Sequence, residues 1–146
     1  MRNSGRSASS KNNSAGPIFF EIPSDISFIK KASRRILRYM APYALDESAL
    51  FDIRLSVEEA IRNAMVHGNR SDRGLPVKIA CSVNNGRLEI VIEDSGKGFD
   101  PKKVPDPTEE ANLTKVGGRG VYLIKRLMDE VEYSAKGNRV RMVKHI

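Results

Sequence analysis

Three side chains in this sequence could do chemistry together: Glu59, Asn63 and Asp94. Glu59 and Asn63 lie four apart in the run Glu58-Glu59-Ala60-Ile61-Arg62-Asn63-Ala64-Met65-Val66-His67-Gly68-Asn69, so on a helix they share a face, one turn apart. A carboxylate so placed can take a proton from a hydroxyl or water attacking a phosphoryl group. The amide oxygen is the hard type of ligand that Mg²⁺ accepts while keeping several waters. Asp94 opens the run Asp94-Ser95-Gly96-Lys97-Gly98, where its carboxylate could accept a hydrogen bond from the exocyclic amine of a purine. Gly96 and Gly98 would let the backbone pass close to the base.

A second glycine group, Gly117-Gly118-Arg119-Gly120-Val121, stands before a helical pattern. Backbone N–H groups at a helix start favour a polyphosphate, and Lys115 and Arg119 could neutralise its charge. Taken singly, each feature has a plainer use: a solvated pair on an amphipathic helix, a strand-end turn, a loosened helix start. Their combination and order argue for an ATP site. It is not a Walker loop, because no Gly-Lys-Ser/Thr occurs, and no dinucleotide fingerprint follows a first strand. His67, in the last helical turn, suits the helix dipole better than a ligand role. His145 is its only fellow histidine, which excludes a histidine-based metal cluster.

The elements that must position these groups are legible in the hydrophobic spacing. Pro17–Pro23 reads as an edge strand with a proline at each end. Ser24 or Asp25 can cap a helix with Ile26, Ile29, Ala32 or Ser33, Ile36, Leu37 and Met40 inward, ended by Pro42. Asp46 starts a longer helix that buries Leu50, Ile53, Val57, Ile61, Ala64 and Met65, with Gly68 as its stop. Alternating strands Val77–Val83 and Leu88–Glu93 meet at Asn85-Gly86, a hairpin signal. Parity puts Asp94 on the inward face with Leu88, Ile90 and Ile92. Residues 100–117 lack periodicity and hold three prolines, the pattern of a lid or binding loop. A third helix opens near Gly120, and strands Glu130–Ala135 and Arg139–Ile146 turn at Lys136-Gly137-Asn138. The expected fold is α/β: a two-layer sandwich of a mixed, mostly antiparallel sheet with about three helices on one face.

At 146 residues the chain suits one domain. The expected division is a disordered basic tail over 1–16 and a folded domain over 17–146. The single cysteine, Cys81, rules out an internal disulfide and reads as a small buried hydrophobe. No apolar run approaches the roughly 20 residues needed to cross a bilayer, so the expected location is cytoplasmic, with no membrane partner. A net charge of +7 keeps nucleic acid in play. Aromatics at 6 % and the lack of a reader motif argue against it.

These residues resemble the anti-sigma factor serine/threonine-protein kinases, stand-alone members of the GHKL, or histidine kinase-like, ATPase superfamily. The resemblance covers about residues 17–146 and implies that superfamily's Bergerat ATP-binding fold. Glu59–Gly68 is similar to the family's N box, which implies Glu59 as catalytic base and Asn63 as Mg²⁺ ligand. Asp94–Gly98 resembles its first glycine box, implying that Asp94 reads adenine. Gly118–Leu123 resembles the second, phosphate-contacting box, and Asp100–Gly117 the ATP lid. Where the family often carries Gly-Thr, this chain has Gly137-Asn138. The resemblance implies ATP and Mg²⁺ as cofactors. It also implies a homodimer that binds a sigma factor and phosphorylates a serine on an anti-anti-sigma (STAS-type) protein. A regulatory module that takes ATP and sequesters a partner without phosphotransfer stays open as the alternative.

Overall fold

The computed structural model describes residues 16–96 and 118–146. The basic leader, apart from Gly16, lies outside them, as do the expected lid at 100–117 and the site candidates Gly98 and Lys115. Strand β1 (Ile18–Pro23) forms one edge of a five-stranded sheet. Its flanking proline, unable to donate to a ladder, suits that edge. β2 (Pro76–Asn84) and β3 (Arg87–Glu93) form the hairpin. Its turn holds Asn85 at φ 51° and Gly86 at φ 72°, the left-handed pair that a tight hairpin requires. β5 (Arg139–His145) lies between β3 and β4 (Glu130–Tyr133), giving the order β1-β2-β3-β5-β4. Among the described residues every pairing is antiparallel, where the sequence reading allowed a mixed sheet.

Three helices cover one face: α1 (Ile29–Met40), α2 (Glu47–Asn63) and α3 (Gly118–Leu127), with α2 packed between the other two. Asp46 caps α2 by accepting the Ala49 N–H at 2.8 Å. Asp25 caps a short 3-10 turn, Ile26–Phe28, that precedes α1. That turn rotates Ile26 away from the stripe expected for it, and the residue is 60 % exposed. The core lies between the layers. Val77, Ile79, Cys81, Leu88, Ile90, Ile92 and Met142 rise from the sheet to meet Ile36, Met40, Ile53, Val57, Ile61 and Ile124. Each such side chain, fully buried, contributes about 1.5–3 kcal/mol. The last turns of α2 are thus held rigidly above the ends of β3 and β5. Among the described residues no helix is long and apolar enough to cross a membrane.

Candidate active site

Glu59 and Asn63, both half-buried, leave α2 toward the first turn of α3. A Cβ placed on Gly120 would overlap the Glu59 carboxylate and come within 3.0 Å of Asn63 Nδ2. Only glycine lets the helix start approach this closely. That start presents backbone N–H groups without intrahelical acceptors, the feature that favours anions. The residues expected at the phosphate end, Gly118, Arg119, Gly120 and Val121, all fall within α3. Val121 turns its side chain into the interior at 5 % exposure.

α2 does not stop at Asn63 but widens into a π-turn over Ala64–Gly68. The Asn69 N–H donates to Ala64 O at 2.8 Å, and the Ser71 N–H to Met65 O at 2.7 Å. The widened turn lays Gly68 directly on Asp94, whose carboxylate a Cβ there would overlap. It leaves His67 exposed in the final turn, where the helix dipole accounts for it.

Asp94 is buried at 8 % exposure, on the inward face that strand parity predicts. Its Oδ1 accepts the Gly96 N–H at 2.8 Å. Its own N–H donates to Asn138 O at 2.9 Å, and Asn138 Nδ2 returns a bond to Asp94 O at 3.3 Å. Ser134 Oγ donates to Asn138 Oδ1 at 3.1 Å. Asn138 therefore ties the start of β5 to the Asp94 main chain. Burial raises the Asp94 pKa above its ordinary value, the Gly96 N–H opposes that, and the Glu93 charge adds to it. A carboxylate kept short of solvent in this way is a strong acceptor for a base amine.

A cavity of about 30 Å³ links the two ends of the site, bounded by Asn63, Gly68, Asp94, Tyr133 and Asn138 among others. That is room for about one water molecule. Tyr133 was not among the sequence candidates. Burial and then the Glu59 charge push its hydroxyl pKa well up. Its inward parity with Val131 on β4 was the available signal. A larger hollow of about 650 Å³ lies on the open side of the sheet, along Phe19, Lys78, Ala80, Val91 and Glu93. Asn63 and Asp94, which line the smaller cavity together, are both absent from its lining.

No group of three or more His, Cys, Asp or Glu side chains that could hold a metal occurs among the described residues. The donor types present suit Mg²⁺ rather than a softer metal: the amide side chain of Asn63 with the Glu59 carboxylate beside it, at a helix start. Cys81 is buried in the core, and its thiol pKa is pushed up to about 12 by burial, as expected for an inert hydrophobe.

Residues 22–144 match the model of the histidine kinase-like ATPase domain. The serine-protein kinase RsbW of Bacillus subtilis is 34 % identical over 111 residues, covering 71 % of this chain and 68 % of that protein. The RsbW of Listeria monocytogenes is 30 % identical over 105 residues, 67 % of each chain. The chain belongs to the anti-sigma factor serine-protein kinase family. A crystal structure of the RsbU and RsbW domains of a Mycobacterium tuberculosis protein has the same fold, with a TM-score of 0.62 at 15 % identity. It covers 89 % of this chain, which spans 32 % of that longer one. The histidine kinase-like ATPase match takes in Glu59, Asn63, Asp94, Gly96 and Gly120 together.

Proposed function

We propose that this member of the family is an ATP-dependent protein serine kinase that acts as an anti-sigma factor. The observation that carries the reading is that Glu59 and Asn63 meet the start of α3, while Asn63 and Asp94 line one cavity. The adenine amine donates to the Asp94 carboxylate, while Gly96 keeps the turn thin enough for the base to approach. At the other end, the backbone N–H groups of Gly118, Arg119 and Gly120 hold phosphate oxygens, helped by Lys115. Asn63 holds Mg²⁺, which supplies charge neutralisation on the phosphates.

Glu59 takes the proton from the incoming serine hydroxyl. The serine oxygen bonds to the γ-phosphorus, the bond from that phosphorus to the β–γ bridging oxygen breaks, and ADP leaves. The serine belongs to a small anti-anti-sigma protein, and a sigma factor is the second partner, bound by a homodimer. The names of the RsbW relatives support the kinase assignment, and the family supports the partners. Incubating the protein with radiolabelled ATP and a purified candidate anti-anti-sigma protein from the same genome tests this. Label on a serine of that protein is the expected result. A partner bound tightly but never labelled would instead make the chain an ATP-binding sequestering module.

A further inference from the structure

Asn69 closes the run that carries Glu59 and Asn63, yet none of the chemistry above uses it. It is 1 % exposed, and every polar atom of its side chain is engaged. The amide nitrogen donates to Ser24 Oγ at 2.9 Å, Leu75 O at 3.1 Å and Pro76 O at 3.1 Å. The amide oxygen accepts the Ser95 N–H at 2.8 Å. Ser24 Oγ in turn donates to Leu75 O at 2.6 Å. One side chain thus joins the link after β1, the loop leading into β2 and the turn after β3.

Ser95 is the residue between Asp94 and Gly96. The turn it occupies is also gripped by Gly68, whose carbonyl oxygen a Cβ on Gly96 would overlap. With Ser95 N–H held by Asn69 and Gly96 N–H held by Asp94 Oδ1, the carboxylate has little freedom to tilt. A buried amide with all its partners in place is costly to disturb and fixes its neighbours closely.

We infer that Asn69 is a positioning residue for base selection: through Ser95 it aims the Asp94 carboxylate at the exocyclic amine of adenine. This rests on the nucleotide-site reading above. Guanine presents a carbonyl oxygen where adenine has that amine, so a well-aimed carboxylate repels it. A loosened carboxylate discriminates less. The half of the Asn69 network that faces Ser24 serves only to hold the loops.

The test is calorimetric titration of the full chain with Mg²⁺-ATP and Mg²⁺-GTP, beside thermal melts, for wild type, Asn69→Ala, Asn69→Asp and Ser24→Ala. Asn69→Ala should lower the ATP-over-GTP preference by about tenfold or more, the scale of losing a well-aimed hydrogen bond to a charged group. Ser24→Ala should lower the melting temperature and leave that preference unchanged. Asn69→Asp keeps an oxygen for the Ser95 N–H, so it should melt lower than wild type yet retain the preference, even if Asn69→Ala fails to fold. An unchanged preference in Asn69→Ala, or its loss in both Asn69→Asp and Ser24→Ala, overturns the assignment. Wild type that binds neither nucleotide overturns the site reading and this assignment with it.

Discussion

Gly68 sits so close to Asp94 that a Cβ on the glycine would overlap both carboxylate oxygens. The end of the helix that carries Glu59 and Asn63 is therefore in direct contact with the acid expected to read the base.

Gly68→Ala should displace the Asp94 carboxylate, because the clash falls on a side chain rather than on backbone. Affinity for ATP should fall by about 1.5–3 kcal/mol, the scale of a hydrogen bond to a charged group. Gly96→Ala differs, since its Cβ meets the Gly68 carbonyl oxygen. It should cost about 1–3 kcal/mol of stability as well. Binding isotherms and urea melts on the two variants separate these effects.

Asp94 gives a pH dependence whose sign is fixed by its burial. Its native pKa is raised above 3.8, so the native state holds that proton more tightly than the unfolded chain. Its contribution to stability is full below the ordinary value and is lost as pH rises through the raised one. Asp94→Asn should therefore melt no lower than wild type at neutral pH, and its melting temperature should respond less to pH within that range. ATP affinity in the wild type should weaken as pH falls through the same window, because only the ionised acid accepts well from the base amine.

Glu59→Gln keeps the shape of the side chain that meets Gly120 and removes its basicity. Phosphoryl transfer should fall by about 10²–10⁴-fold, while ATP affinity stays within a few-fold. Rapid-quench assays of labelled product against equilibrium binding on the same protein check this. Loss of binding equal to the loss of rate would move Glu59 from base to ligand.

Much of this site was legible because its signals are local. The four-residue spacing of Glu59 and Asn63, and the parity that turns Asp94 inward, are set by helix and strand geometry alone. The hairpin at Asn85-Gly86, with both residues at positive φ, was legible for the same reason. Asn69 was not, since its partners Ser24 and Ser95 lie 45 and 26 residues away. The π-turn at Ala64–Gly68 was also hidden, because its apolar spacing matches that of an ordinary helix end. Without it, Gly68 reads only as a stop, and its contact with Asp94 goes unseen. Ile26 misled because a 3-10 turn before α1 breaks the helical phase. Tyr133 belongs to the cavity only through the pairing of β4 with β5, which local spacing does not encode.

Cys81 offers a check on the core. With its thiol raised to about 12 by burial, it should resist maleimide in the native protein at pH 8 and react only on unfolding. Labelling followed across a denaturant series should then track global unfolding, whereas rapid labelling without denaturant would mean the sheet and helices part locally.

The central claim is that an adenine nucleotide lies between the helices and the sheet with its base on Asp94. Titration calorimetry of the purified protein with ATP in excess Mg²⁺ tests it most directly. The account predicts a saturable one-site isotherm for wild type and one weakened by about tenfold or more for Asp94→Asn. No heat from wild type, or equal affinity in the two proteins, would contradict it.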